Sequence, residues 1–135
     1  MTALTKDNLA EHKEGKLLAF PVKGSTKIYQ GAICKVTAAG YLAGAAAEAG
    51  AVFAGMAYEQ VDNSSGADGA VKCRVLTEGV FPMAGSGFAQ SDLGSKVYAS
   101  DDQTVSTTQG ANEQEVGKIV EVVSATEVMV MLKQY

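Results

Sequence analysis

The 135-residue chain has one histidine and no tryptophan, and it has only two cysteines and two prolines. The single imidazole, His12, lies near the N-terminus, so no Ser-His-Asp or Cys-His arrangement can be assembled within the rest of the chain. We expect His12 to be a solvated polar side chain. His, Cys and carboxylates also lack the spacing of a metal site. The sequence therefore predicts a protein that is not an enzyme and has no catalytic residue, cofactor or metal.

The two cysteines, Cys34 and Cys73, have neither CxxC spacing nor the spacing of metal ligands. Each lies in an alternating pattern typical of a β-strand, where a free cysteine behaves as a small buried hydrophobic residue. We expect two buried thiols. A disulfide or a reactive thiol is the alternative.

Positive charge is scarce, since 11 Lys and Arg stand against 15 Asp and Glu, for a net charge of −4. This balance argues against nucleic acid as a partner, because nucleic-acid binding needs clustered basic residues. Residues 94–96 and 117–118 contain Gly-Ser-Lys and Gly-Lys, but neither fits a P-loop and both lead into predicted strands. Nucleotide binding is not predicted.

Long apolar runs are also missing. Residues 38–58 carry only one charge, Glu48, but four glycines interrupt them and alanine supplies most of their apolar content. We expect no membrane-spanning helix and no membrane partner. The first eight residues lack the apolar segment of a signal peptide, so we expect the protein to be made in a cytoplasm.

Valine and glycine are abundant instead. Val outnumbers Leu by 15 to 8, and 15 glycines punctuate the chain. Because β-branched residues favour a pleated, half-buried surface, the composition favours an all-β fold. We predict a single β-barrel or β-sandwich-like domain over residues 16–135, with about nine or ten short strands. The strands are predicted at residues 17–22, 27–37, 41–42, 52–61, 70–77, 80–84, 96–100, 103–107, 117–123 and 128–132.

Three local patterns qualify this prediction. Gly31 is interpreted as a bulge within the strand at 27–37. Residues 43–50 are rich in alanine and predict two marginal helical turns. Residues 62–69 predict a hairpin loop, since a calcium loop would need EF-hand spacing and a bidentate glutamate, which are absent.

In the strand that follows, Val71, Cys73 and Val75 are expected to face the core, with Lys72 and Arg74 facing water.

The last predicted strand is apolar on both sides. Val128, Val130 and Leu132 share one face, and Met129 and Met131 occupy the other. A strand of this kind is central to the fold or covered by a neighbour. We predict that Met129 and Met131 lie at a subunit interface.

Residues 1–15 are polar and of mixed charge, with Leu4 and Leu9 as the only large aliphatic residues after Met1. A segment of this kind cannot bury itself against a core. We interpret it as an extended N-terminal arm that orders along a partner, and a frayed terminus without a role is the alternative.

Several segments together resemble one family of small tailed-phage head proteins, the capsid decoration or cement proteins. Some of these carry a recombinase label that the missing P-loop contradicts. The resemblance extends over roughly residues 16–133, and it is carried by residues 40–42, 52–57, 71–75, 78–81, 92–99 and 116–120.

The resemblance implies a β-barrel or β-sandwich on the outer surface of the virion capsid. There it would stabilise contacts between subunits of the major capsid protein, as a homo-oligomer and most often a trimer. We expect the arm to contact the capsid through Thr2, Ala3, Leu4, Thr5, Lys6 and Leu9. Two alternatives remain open: another virion β module of the tail, head-completion or fibre type, and a small ligand-binding β-barrel with an aromatic-lined cavity.

Overall fold

A computed structural model describes residues 16–134, so the predicted arm at residues 1–15 lies outside the described residues, as does Tyr135. The described part contains twelve strands and one short 3₁₀ helix at Gln90–Asp92. The strands are β1 (Leu17–Pro21), β2 (Thr26–Ile28), β3 (Ile33–Val36), β4 (Leu42–Gly44), β5 (Val52–Ala57), β6 (Val61–Asn63), β7 (Lys72–Leu76), β8 (Val80–Ala84), β9 (Lys96–Ala99), β10 (Val105–Ser106), β11 (Glu115–Ser124) and β12 (Glu127–Leu132). The predicted all-β fold is confirmed.

The strands form two five-stranded sheets and a two-stranded ribbon. The first sheet has the order β1-β7-β5-β3-β4, the second has the order β10-β9-β11-β12-β8, and the ribbon pairs β2 with β6. One parallel bridge, Val22 to Leu42, links the two edges of the first sheet, and another, Ala84 to Thr104, does so in the second. Because one isolated bridge is not a pair of hydrogen-bonded strands, each sheet curls towards its opposite edge without closing as a barrel, and the sandwich-like alternative is the one that fits.

Twelve strands replace the predicted nine or ten because two predicted strands are each divided. Gly31 is not a bulge within one strand. It has a φ of 82° and ends a turn in which the Ala32 N–H donates to the Tyr29 carbonyl at 3.1 Å. The predicted strand at 52–61 also breaks, at residues 58–60. The chain segments freed by these breaks, β2 and β6, leave the first sheet and pair with each other.

The predicted helical turns at residues 43–50 are wrong. Residues 42–44 form β4, and contacts from elsewhere in the fold hold the backbone that follows. The Ala45 N–H donates to the Ile33 carbonyl at 2.8 Å, and Lys35 Nζ donates to the Ala46 carbonyl at 3.2 Å. Lys35 also pairs with Glu48 at 2.9 Å. These tertiary contacts outweigh the weak helix propensity of an alanine stretch that contains two glycines.

The buried side chains form two separate clusters. The first lies between the two sheets, and the second lies between the other face of the first sheet and the ribbon. Successive residues of β3 enter different clusters, since Ile33 belongs to the first and Cys34 to the second. On β5, Phe53 belongs to the first and Ala57 to the second. The centre of the first sheet is therefore buried on both faces.

The second sheet buries only one face. Val128, Val130 and Leu132 of β12 are 0–2% exposed, as their alternation predicts. The predicted hairpins are also present, because β9 pairs with β10 and β11 pairs with β12. On β7 of the first sheet, Cys73 and Val75 are buried as predicted, while Lys72 and Arg74 are exposed.

Val71 differs from its prediction. It is 37% exposed and lies immediately before β7, whose first residue is Lys72. Strand alternation that places Cys73 and Val75 in the core therefore does not extend to Val71.

Cys34 and Cys73 are free thiols, and both are fully buried. Burial is the main reason that the pKa of Cys34 is raised to about 12 and that of Cys73 to about 11. The prediction that both residues act as small buried hydrophobic side chains is confirmed.

Asn63 anchors the loop after β6. The sequence predicts residues 62–69 as loop, but Asp62 and Asn63 belong to β6. The Asn63 side chain is 3% exposed, and its Nδ2 donates to the carbonyls of Val22, Lys23 and Ala67 at 3.0–3.2 Å. The two N–H groups of one side-chain amide are thus shared among three buried or partly buried carbonyls.

We predict that Asn63→Asp lowers the free energy of unfolding by about 3 kcal/mol, because a carboxylate cannot donate to these carbonyls. Urea unfolding measures the change. The matched control is Ser65→Ala, at an exposed position of the same loop, which should cost less than about 0.5 kcal/mol. Equal effects of the two substitutions would contradict the anchoring role.

We also predict a specific alkaline destabilisation. The pKa of the Cys34 thiol rises from its ordinary value of 9.0 to about 12 in the folded protein, so between these values the unfolded chain loses a proton that the folded protein retains. The stability that this thiol contributes is therefore fully present below pH 9.0 and is lost as the pH rises towards the folded pKa. Urea unfolding of the wild type and of Cys34→Ala, just below and about one unit above pH 9.0, should show a smaller decrease in the variant. Identical decreases in the free energy of unfolding for the wild type and Cys34→Ala would show that the Cys34 thiol does not cause the alkaline destabilisation.

Candidate interaction surface

The exposed side of the second sheet carries the main candidate surface. We call it the outer face and define it by the following outward residues of β8, β12, β11 and β9: Val80, Pro82, Ala84, Glu127, Met129, Met131, Lys118, Glu121, Lys96 and Tyr98. Strand alternation produces this face, since the intervening residues of the same strands fill the core between the sheets.

The strand register aligns these residues in rows. Lys118 lies opposite Lys96 of β9 on one side and opposite Met131 of β12 on the other. Met131 in turn lies opposite Val80 of β8. This row crosses four strands and changes from charged to apolar along its length.

The apolar half of the outer face consists of Val80, Pro82, Met129 and Met131. Met129 lies opposite Pro82 as Met131 lies opposite Val80, so the four residues are adjacent. Val80 is 45% exposed and Met131 is 49% exposed, while Met129 is half-buried. Contiguous exposed apolar residues on a soluble domain are typical of a surface that contacts another molecule.

Pro82 also marks the β8 edge of the outer face, which bridges to the opposite edge of the sheet only at Ala84. β8 pairs with β12 on one side only, which makes β8 the last strand of the sheet. Proline has no N–H to donate and is accepted at such an edge. A further strand therefore cannot accept a hydrogen bond from the backbone at Pro82. The apolar ring of Pro82 adds to the exposed surface.

Met129 and Met131 lie on the side of β12 that points away from the core, as strand alternation predicts. β12 is a central strand between β11 and β8. The role of the two methionines at a subunit interface stays a prediction. The predicted capsid contacts Thr2, Ala3, Leu4, Thr5, Lys6 and Leu9 lie outside the described residues.

The charged half of the outer face borders a groove of about 380 Å³. We call it the lysine groove, and it is lined by Lys96, Glu115, Gly117, Lys118, Met131, Leu132, Lys133 and Gln134. Lys96 Nζ and Lys133 Nζ approach the same oxygen, Glu115 Oε1, at 3.8 and 3.9 Å. Glu115 is the single carboxylate among the residues that line the groove.

Gly117 permits the close strand approach beneath this groove. A Cβ atom at this position would overlap the carbonyl oxygen of Met131 on the neighbouring strand. Any other residue would push β11 away from β12, so glycine is required here for packing rather than for phosphate binding. This explains the Gly-Lys pair at 117–118, whose sequence only weakly suggests a phosphate site.

The charged cluster around Arg74 is internally paired. Arg74 donates to both carboxylate oxygens of Glu59, at 3.1 and 2.9 Å, and lies 5.0 Å from the ring centre of Tyr58. The Arg74 side chain and backbone donors hold the pKa of Glu59 below its usual value. This arrangement connects the chain after β5 to β7. Because the Arg74 guanidinium and the Glu59 carboxylate neutralise each other, neither offers an unpaired charge to a ligand.

Residues 16–134 give little support for a metal site, an aromatic-lined ligand cavity or a membrane-spanning helix. These residues contain no group of three or more His, Cys, Asp or Glu placed to hold a metal ion. Four surface cavities have volumes of about 290–380 Å³, and each is lined by at most one aromatic side chain. No helix in this part of the chain has the length and apolar character needed to cross a membrane.

Sequence reasoning missed the lysine groove and the contribution of β8. The alternation at residues 128–132 places the two methionines outward, but it cannot show that β9 and β8 lie on either side of the last hairpin. Lys96 and Lys118 are 22 positions apart and become neighbours only through the pairing of β9 with β11.

In comparisons with known proteins, no protein-family model, no curated protein and no solved structure matches this chain.

We predict that Met131→Gln leaves stability nearly unchanged when the protein is monomeric, because the side chain already lies half in water. The free energy of unfolding in urea should change by less than about 0.5 kcal/mol. The neighbouring substitution Val130→Ala, at a position that is 0% exposed, should cost about 2 kcal/mol. A large cost for Met131→Gln would show that this side of β12 is part of the core.

Proposed function

We propose that the protein is a capsid decoration, or cement, protein of a tailed phage. It binds the outer surface of the expanded head and stabilises contacts between subunits of the major capsid protein. The observation that carries the proposal is the outer face, an open sheet surface with an apolar half and a lysine-bearing half. The resemblance of residues 16–133 to decoration proteins supports the same function.

The outer face suits a protein whose role is adhesion. Burying an exposed Val or Met side chain at a contact contributes about 1.5–3 kcal/mol when the burial is complete. Val80 and Met131 are only about half exposed, so one copy gains a modest amount from them. A lattice that presents many identical sites compensates, because a molecule that touches several capsid subunits gains effective concentration for each added contact.

The apolar half is the part that we assign to self-association. Met129 and Met131, together with Val80 and Pro82, form a compact apolar area next to the sheet edge at β8. Copies of the chain that bury this area against one another form the homo-oligomer, for which a trimer is favoured. Lys118 adjoins this area opposite Met131, but no lysine belongs to it, so self-association need not bury an ammonium group.

The arm is the part that we assign to the capsid. Residues 2–9 are outside the described residues, but the point where the arm joins the domain is within them. The Thr77 N–H donates to the Lys16 carbonyl at 3.0 Å, and Gln134 Nε2 donates to the Thr77 carbonyl at 2.7 Å. Gln134 also lines the lysine groove. Two hydrogen bonds through Thr77 therefore link Lys16, the first described residue, to a residue that lines the lysine groove.

We predict that the purified protein binds expanded heads assembled from the major capsid protein of the same genome, and binds unexpanded heads weakly or not at all. Deletion of residues 2–15 should abolish or greatly weaken binding while the domain stays folded. Co-sedimentation measures the binding, and circular dichroism checks the fold.

Two results would contradict parts of this proposal. Absence of wild-type binding to heads of both kinds would rule out decoration, and assembly of the protein with itself into tubes or fibres would favour another virion module. Full head occupancy by the arm-deleted variant would rule out the arm as the capsid contact. Replacement of the arm by a Gly-Ser segment of equal length controls for loss of chain length.

A further inference from the structure

We propose that the lysine groove binds an extended acidic segment of the partner protein, one in which carboxylates alternate with apolar side chains. This inference deepens the proposed function and rests on it for the identity of the partner, which is the major capsid protein.

The first argument is a local excess of positive charge. Lys96, Lys118 and Lys133 border the groove together with one carboxylate, Glu115, in a chain whose net charge is −4. A basic area on an acidic protein stands out electrostatically and attracts a negatively charged ligand selectively.

The second argument is that Lys96 and Lys118 are exposed to an incoming anion. Glu115 is shared between Lys96 and Lys133 at the long distances of 3.8 and 3.9 Å. The Lys96 side chain is 60% exposed. Within residues 16–134, Lys118 forms no ion pair and is exposed. Solvent-exposed pairs of this geometry contribute little stability, so exchanging them for contacts with an incoming carboxylate costs little.

The third argument concerns the apolar part of the groove. Met131, which is 49% exposed, and the edge of Leu132 line the same cavity as the lysines. Lysine stems are themselves apolar and cover such surface while their ammonium groups reach for anions. The combination fits a peptide with both carboxylates and apolar side chains better than it fits a simple anion.

The fourth argument is directional. Lys96, Lys118 and Met131 lie in one row across β9, β11 and β12. Glu121, which lies opposite Met129 in the next row, places negative charge at the start of the apolar half. An acidic segment is therefore favoured beside the lysines and disfavoured towards Glu121 and Met129, and Met131 is the residue at which this contact adjoins the area assigned to self-association.

The site can be tested without the capsid. We expect a short synthetic peptide of alternating Glu and Leu, titrated into nitrogen-15-labelled full-length protein, to shift backbone amide signals around Lys96, Lys118 and Met131. High salt should weaken the binding. A Lys-Leu peptide of the same length should cause no shifts, and a Glu-Ser peptide should bind more weakly. Absence of shifts with the Glu-Leu peptide, or shifts confined to another surface, would overturn the proposal.

A matched pair of charge-reversal variants connects the groove to head binding. Lys96→Glu with Lys118→Glu should weaken both peptide and head binding by about tenfold or more. Lys27→Glu with Lys72→Glu changes the net charge equally at exposed positions of the ribbon and the first sheet, and it should leave both affinities within about twofold. Equal losses in the two variants would refute a local role for the groove.

The outcomes separate this inference from the proposed function. If the wild type binds heads and the Lys96 and Lys118 reversal binds them equally well, the groove proposal fails and decoration stands. If the Glu-Leu peptide binds in the groove but heads are not bound, decoration fails and the acidic-peptide site stands with another partner.

Discussion

The burial of the first sheet on both faces is the constraint on which the rest of the structure depends. Ile33 and Cys34, although adjacent in β3, enter different apolar clusters. This is possible because the ribbon of β2 and β6 covers the face of the first sheet that points away from the second sheet. With the centre of the first sheet buried on both faces, the outer face of the second sheet is the main sheet surface that residues 16–134 leave for contact with other molecules.

The outer face combines two kinds of contact within one strand register. Val80 and Met131 supply apolar area, while Lys96 and Lys118 continue the same row as positive charge. Apolar burial gives affinity without much direction, and charge complementarity fixes orientation and excludes wrong partners. A protein that has to recognise one repeated lattice benefits from both. Gly117 contributes indirectly, because it lets β11 and β12 approach closely enough for the row to be continuous.

Local patterns in the sequence predict much of the fold. The alternation at residues 128–132 and the turn between the last two strands predict the closing hairpin and the outward methionines. The bulge predicted at Gly31 is wrong, because a glycine that closes a turn and a glycine that forms a bulge have the same sequence signal. The helical turns predicted at 43–50 are wrong because the Lys35 contact with Ala46 is set by tertiary structure.

The candidate surface is predictable only in part, for a related reason. Met129 and Met131 can be assigned to an outward face from the period of two. The lysine groove cannot, because Lys96, Lys118 and Lys133 are brought together by the order β9-β11-β12, and strand order depends on long-range pairing. Electron cryomicroscopy of expanded heads mixed with the protein tests the central claim most directly. The account predicts that the outer face is buried, with Lys96 and Lys118 against the capsid and Met129 against a neighbouring copy. Bound molecules whose outer face points into solvent would contradict it.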